Sequence, residues 1–247
     1  MHFTSEHTLD DGVIECRFTL GDIPGIVWMP PTTPAPLLLL GHPGGLDAMY
    51  PRLVARARQA AADGFASATI ELPGGGGREP ISELDAARAE LRRAITAGDE
   101  VDAIVDRLVL PLVELAVPEW RAALDALLEL RDIRGPVGYS GGVMAVGIRL
   151  AAVEPRIVAA GLYAGSFVPR AMFDEARRVT VPVHMLLQWD DEGNDRQLSL
   201  EVFDSLGSRE KTLQANMGGH TGVPAFAGDD AARFFVRHLR PDAPERE

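Results

Sequence analysis

The chain has 247 residues, 46% of them hydrophobic, and its 24 basic and 36 acidic side chains give a formal charge of −12. This length and hydrophobic content predict one folded domain, 1–247, with a sizeable core. The negative charge, with arginines scattered among acidic helical segments, argues against nucleic acid as a partner.

We also expect no membrane-spanning segment, no disulfide and no cysteine-rich zinc site. No apolar run is long enough to span a bilayer, and residues 1–12 carry charge without an apolar stretch, which predicts a cytoplasmic protein. Cys16 is the only cysteine, so an intramolecular disulfide and a cysteine-rich zinc site are ruled out. We expect no metal and no other cofactor, and we interpret Cys16 as a small buried residue of an early strand.

Short apolar runs alternate with longer amphipathic stretches along the chain, which predicts an α/β fold. The runs at 13–20 and 23–30 predict an opening antiparallel pair. Six buried parallel strands are then predicted, at 36–42, 65–72, 135–142, 157–165, 181–189 and 211–217. Their near-continuous apolar character predicts a mostly parallel, eight-stranded sheet with helices on both faces.

Helical patterns lie between these strands, at 51–64, 81–98, 100–116, 118–132, 196–207 and 229–239. Three successive patterns between residues 81 and 132 exceed what one crossover between neighbouring parallel strands requires. We therefore predict that 81–132 forms a small helical cap or lid.

One motif suggests a nucleophile. Residues 138–142 read Gly-Tyr-Ser-Gly-Gly, a G-x-S-x-G sequence typical of a sharp strand-to-helix turn that exposes the serine hydroxyl. Such a turn also directs the next backbone N–H at a developing oxyanion. The motif predicts Ser140 as the nucleophile and Gly141 as an oxyanion donor. It gains weight because an aspartate and a histidine follow in the chain order Ser, Asp, His.

The acid and the base are expected in loops after the last two strands. Asp190 and Asp191 directly follow the strand at 181–189, and His220 lies in a glycine-flanked loop after 211–217. Residues at the carboxyl ends of parallel strands converge, which favours His220 as the base and Asp191 as its orienting group. The alternative for the two aspartates is a turn or a helix N-cap.

Two glycine-rich loops are interpreted differently. Residues 41–45, Gly-His-Pro-Gly-Gly, resemble a histidine-glycine oxyanion loop, in which Gly44 and Gly45 supply the donor because Pro43 has no N–H. The alternative is a plain tight turn before a helix. Residues 71–78 lack the Lys-Ser/Thr pair of a phosphate-binding P-loop, so we interpret them as a flexible rim loop.

Together these motifs resemble those of the α/β-hydrolase superfamily, and more narrowly those of the dienelactone-hydrolase-like esterases. The resemblance covers nearly the whole chain, from the strand at 23–30 to the loop around His220. It implies an eight-stranded fold, a serine or cysteine nucleophile, an acid matching Asp191, a base matching His220 and no cofactor. It does not imply a substrate.

The sequence departs from the family pattern at the turn. Similar proteins continue after Gly-Tyr with an aromatic residue and a glycine before an elbow serine that precedes Met-Gly. Aligned in that register, Val143 takes the nucleophile position and Met144 follows it. Strand length favours Val143, because a turn at Ser140 leaves a strand of about three residues. The intact G-x-S-x-G favours Ser140, which we prefer while keeping Val143 as the alternative.

Three functional hypotheses follow. The first is a serine hydrolase of small carboxylic esters or lactones with a Ser140, His220 and Asp191 triad, acting on a small molecule as a monomer or homodimer. The second has Val143 at the elbow and uses His220 and Asp191 as a base for isomerisation, cyclisation or elimination. The third is a non-catalytic binding protein.

Overall fold

The structure is a computed structural model that describes residues 1–163, 165 and 167–240. The strands are β1 (His2–Thr8), β2 (Ile14–Leu20), β3 (Ile23–Met29), β4 (Ala35–Gly41), β5 (Ala66–Ile70), β6 (Ile133–Gly141), β7 (Ile157–Tyr163), β8 (Val183–Gln188) and β9 (Lys211–Asn216). The helices are α1 (Leu46–Ala62), α2 (Ser82–Ala97), α3 (Asp102–Leu128), α4 (Met144–Val153), α5 (Phe173–Ala176), α6 (Arg196–Ser205) and α7 (Ala225–Leu239), with one 3-10 turn at Arg170–Met172.

The strands form one sheet in the order β1-β2-β3-β5-β4-β6-β7-β8-β9. β1, β2 and β3 pair antiparallel, and β3 also pairs antiparallel with β5. From β5 to β9 every neighbouring pair is parallel. The carboxyl ends of the parallel strands therefore lie at one edge, where ligands bind in folds of this type.

The sheet lies between two layers of helices. Side chains of a strand alternate between faces, so Leu38 and Leu40 of β4 pack in the cluster formed with α1 and α7. Leu37 and Leu39 point to the opposite face and belong to the larger cluster that includes α3 and α4. The prediction of a mostly parallel α/β sheet covered on both faces is confirmed.

The number of strands was predicted wrongly: over the residues that the structure describes, the sheet has nine strands, not eight. β1 lies at the sheet edge, and all seven of its residues are exposed, so its sequence has no apolar pattern. Backbone pairing with β2 holds it in place.

The helical patterns at 100–116 and 118–132 form one helix, α3, which continues through Pro111 and Pro118. A proline inside a helix removes one backbone hydrogen bond. Buried side chains recur along one side of α3 from Ile104 to Leu127, and this packing stabilises the helix across both prolines.

The carboxyl-terminal half of α3 belongs to the core. Trp120, Leu124 and Leu127 are at most 1% exposed, and this half of α3 serves as the crossover between β5 and β6. α2 packs against α3. Whether 81–132 closes over a substrate stays a prediction.

In the described part of the chain, no helix is long and apolar enough to cross a membrane.

Candidate active site

His220 and Asp191 are in direct contact at the carboxyl edge of the sheet. Asp191 comes three residues after the end of β8, and His220 lies in the loop between β9 and α7. His220 Nδ1 is 2.8 Å from Asp191 Oδ2, and the Asp191 side chain is 2% exposed, whereas that of His220 is 57% exposed. The other Asp191 oxygen, Oδ1, accepts a hydrogen bond from the Gly193 N–H at 2.9 Å. A fixed, buried carboxylate thus orients an accessible imidazole.

Asp190 holds the backbone of the same loop. Its Oδ1 accepts hydrogen bonds from the N–H groups of Gly218 and Gly219, each at 2.9 Å. The bond from Gly219, followed by that from Gly218, lowers the pKa of Asp190 below its ordinary value. Gly219 has a φ of 64°, a conformation that favours glycine and turns the chain just before His220. The two adjacent aspartates therefore have different partners. Asp190 binds the backbone of the loop, and Asp191 contacts the imidazole ring of His220.

Ser140 lies inside β6, paired with Leu40 on one side and Gly161 on the other. It is 3% exposed. Its Oγ accepts a hydrogen bond from Arg56 Nη2 at 3.1 Å and lies 3.3 Å from the Tyr163 hydroxyl. Among the described residues, His220 is not a hydrogen-bond partner of this hydroxyl.

The chain bends after Ser140, at two glycines. Gly141 and Gly142 have φ values of 80° and 76°, and α4 begins at Met144 with Val143 as its N-cap. A Cβ at Gly142 would lie 2.8 Å from Gly41 Cα, so no side chain fits at the bend. The prediction that the chain turns at Ser140 is wrong, because pairing with β4 continues through Gly141. Val143, the alternative position, directly precedes the helix. The catalytic role of Ser140 stays a prediction.

The loop after β4 is anchored by two buried side chains. His42 is 2% exposed, and its ring nitrogens contact the carbonyl oxygens of Gly44 and, at 2.9 Å, Ile70. Glu71 Oε2 accepts a hydrogen bond at 2.7 Å from the N–H of Leu46, the first residue of α1. These contacts hold the loop against the start of the glycine-rich segment 71–78.

The predicted oxyanion donors lie in different settings. The N–H groups of Gly44 and Gly45, at the start of α1, have no hydrogen-bond partner among the described residues. A helix N-terminus favours negative charge, so both donors suit an oxyanion. Gly141 is instead the last residue of β6, paired with Gly41. Whether any of the three serves as a donor stays a prediction.

Cys16 is buried on β2, as predicted. Its side chain lies 3.7 Å from Glu6 Oε2, and burial, with the nearby negative charge of Glu6, raises the pKa of its thiol to about 11. A thiol with so high a pKa stays protonated at neutral pH and is a poor nucleophile.

Solved structures of hydrolases resemble the fold of the whole chain. No profile of a known protein family matches the chain, and no curated protein does. A cold-adapted esterase from an Arctic intertidal metagenomic library, solved bound to polyethylene glycol, is 28% identical with a TM-score of 0.75. The match covers 97% of this chain and 100% of the esterase. The chain belongs to the α/β-hydrolase superfamily.

Two more distant structures share the fold of this α/β-hydrolase. Acetyl xylan esterase 1 from Thermoanaerobacterium is 15% identical with a TM-score of 0.63, over 96% of this chain and 87% of the other. A dienelactone hydrolase from Anabaena variabilis is 18% identical with a TM-score of 0.60, over 96% and 99% of the two chains.

One cation of this α/β-hydrolase, in contact with Ser140, was not predicted from the sequence. Arg56 of α1 donates hydrogen bonds to the carbonyl oxygens of Gly41 at 2.9 Å and Ser140 at 2.6 Å, so it connects the ends of β4 and β6. A signal was present in the sequence, because Arg56 is three residues after Leu53 and four before Ala60. Those positions share the apolar face of α1, where a charged side chain needs a specific partner.

Proposed function

We propose that the protein is a carboxylic ester or lactone hydrolase in which His220, oriented by Asp191, is the general base. The contact between His220 Nδ1 and Asp191 Oδ2 carries this proposal. An imidazole whose Nδ1 donates to a carboxylate presents the lone pair of Nε2 to an incoming proton donor. The 28% identity to an esterase over 97% of the chain supports ester hydrolysis as the reaction.

The nucleophile in this proposal is a water molecule. Val143 at the start of α4 offers an isopropyl group, and the Ser140 hydroxyl lies within β6 against Arg56 and Tyr163. His220 Nε2 takes a proton as the water oxygen adds to the ester carbonyl carbon. The bond to the alcohol oxygen then breaks, and the imidazolium returns the proton to the leaving alkoxide. The N–H groups of Gly44 and Gly45 are the proposed donors to the intermediate oxyanion.

Replacing Ser140 tests the water mechanism against the triad. In Ser140→Ala we expect kcat/KM for p-nitrophenyl acetate to stay within about threefold of wild type, because no acyl-enzyme forms on this hydroxyl. Ser67→Ala, which removes another buried strand hydroxyl, is the matched control. A fluorophosphonate probe should leave the wild-type mass unchanged.

A loss of about a hundredfold or more in Ser140→Ala alone, or a probe adduct on Ser140, would establish the triad instead. Wild-type protein that turns over neither esters nor lactones would end the hydrolase proposal.

Asp190 provides a second test, because it touches the loop and not the ring. We expect Asp190→Ala to lower kcat by about tenfold while KM changes by less than about twofold, since His220 loses its fixed position. The kcat of Asp190→Asn should lie between those of wild type and Asp190→Ala, because the amide oxygen of the asparagine still accepts one hydrogen bond. Glu192→Ala, an exposed acid of the same loop, is the control. If Asp190→Ala instead raises KM and leaves kcat unchanged, Asp190 contributes to substrate binding.

The position of Val143 directly before α4 also supports a second candidate function, which is proton abstraction without hydrolysis. The same His220 and Asp191 pair serves as the base for isomerisation, cyclisation or elimination. Exchange of an acidic C–H proton of a ketone or lactone into deuterated water, lost in His220→Ala and unaccompanied by ester turnover, would favour this candidate.

A further inference from the structure

A cleft of about 290 Å³ separates α1 from α7 on one face of the sheet. We call it the α1–α7 cleft. Its floor is formed by Leu38 and Leu40. The helical sides are lined by Arg56, Gln59 and Ala60 of α1, by Asp63 just after the end of α1, and by Ala225, Gly228, Ala232 and Phe235 of α7. The small side chains of α7 at these positions leave the space of the cleft unfilled. His220 does not line it in the described part of the chain.

The polar end of the cleft holds a cation and two hydroxyl groups. Arg56 Nη2 lies 3.1 Å from Ser140 Oγ, which is 3.3 Å from the Tyr163 hydroxyl. The guanidinium also lies over the Tyr163 ring, 5.5 Å from its centroid. Hydroxyl groups and guanidinium N–H groups are suitable donors to a carboxylate.

Among the described residues, Arg56 has no acidic partner. No carboxylate of the described residues forms an ion pair with it, although most other half-buried arginines of the chain have one, Arg78 and Arg149 among them. Its hydrogen bonds go to the carbonyl oxygens of Gly41 and Ser140 and to Ser140 Oγ. A guanidinium has five N–H donors, so donors remain for a ligand. A half-buried cation whose direct hydrogen-bond partners are all neutral attracts an anion.

We propose that the α1–α7 cleft binds a short-chain aliphatic carboxylate, with its carboxylate at Arg56, Ser140 and Tyr163 and its alkyl chain along Leu38, Leu40 and Phe235. The single positive charge of the Arg56 guanidinium matches the single negative charge of a carboxylate. Asp63 and Asp229, which also line the cleft, disfavour a dianion such as phosphate. The volume lies near the lower end of the range for small-molecule sites, about 300 to 1,000 Å³, which suits a small ligand.

Binding of hexanoate, measured by titration calorimetry, tests this proposal independently of any hydrolase activity. Wild type should bind hexanoate at least about tenfold more tightly than hexan-1-ol or inorganic phosphate, because the carboxylate and the alkyl chain both contribute. Arg56→Met should weaken hexanoate binding at least about tenfold. Arg52→Met, which removes an exposed arginine one turn earlier in α1, should leave it unchanged.

A second variant avoids disturbing the backbone contacts of Arg56. A Cβ added at Gly228 meets no atom within 4 Å, so the side chain of Gly228→Leu extends into open space at the cleft. It should reduce hexanoate binding at least about tenfold without lowering the melting temperature, since leucine also favours a helix over glycine. His220→Ala should bind hexanoate like wild type.

Four results would overturn the proposal: no hexanoate binding to wild type, equal binding of hexan-1-ol or phosphate, wild-type affinity in Gly228→Leu, or loss of binding in His220→Ala. The last would place hexanoate at the candidate active site.

Discussion

His220→Ala is expected to lower kcat/KM for p-nitrophenyl acetate by about a thousandfold, because general-base catalysis by a positioned imidazole typically contributes about 10² to 10⁴. The side chain of His220 is 57% exposed, and Asp191 is its hydrogen-bond partner among the described residues. Its removal therefore costs little packing energy, and the melting temperature should hardly change. Steady-state kinetics with a thermal melt separate the catalytic loss from unfolding.

Two further variants make this prediction specific. Asp191→Asn keeps the shape of the acid but removes its charge, so it should reproduce much of the loss by misorienting the ring. His2→Ala removes an exposed histidine of β1 at the far edge of the sheet and should have no effect. If His220→Ala keeps more than about a tenth of the wild-type activity, His220 is not the base.

The positions of His220 and Asp191 were predictable because their signal is local. Each follows a segment that was predicted as a strand, and the carboxyl ends of parallel strands meet at one edge whatever the details of packing. The choice of Asp191 over Asp190 was a preference at the sequence level. The structure gives the physical reason: Asp191 contacts the ring, and Asp190 accepts hydrogen bonds from the loop backbone.

The turn after β6 was mispredicted because its sequence fits two registers. A G-x-S-x-G motif predicts the bend at the serine, but Gly141 and Gly142 supply the positive φ values themselves. Where β6 ends depends on its pairing with β4, from Leu37 with Val137 to Gly41 with Gly141. That pairing joins segments about a hundred residues apart, and the local sequence does not encode it.

Other features that the sequence did not predict also depend on partners far away in the chain. Arg56 contacts Ser140, 84 positions away in the chain, and β1 joins the sheet through its pairing with β2. The merging of two helical patterns into α3 depends on a buried stripe that continues past Pro111 and Pro118. Apolar periodicity therefore predicted most elements and their order, whereas boundaries and polar contacts depend on tertiary structure.

Glu154→Gln is expected to destabilise the protein by about 3 kcal/mol at pH 7, because a shift of one pKa unit corresponds to about 1.4 kcal/mol. The Glu154 side chain is 1% exposed and accepts hydrogen bonds from Arg156 Nε at 2.7 Å and Arg121 Nε at 3.1 Å. The bond from the Arg156 side chain is the largest cause that lowers the pKa of Glu154 from 4.5 to about 2. A neutral amide loses the charge on which these bonds depend.

The pH dependence distinguishes this ion pair from a simple packing defect. Since the folded-state pKa lies below the unfolded one, the stabilisation by Glu154 is complete above pH 4.5 and is lost as the pH falls towards 2. Urea unfolding should thus show a constant difference between wild type and Glu154→Gln from pH 7 to 5.5, and about half of it at pH 3. Asp125→Asn removes the exposed partner of Arg156 and should cost less than about 1 kcal/mol. A difference for Glu154→Gln that is the same at pH 7 and pH 3 would mean that its side-chain packing, and not its charge, stabilises the fold.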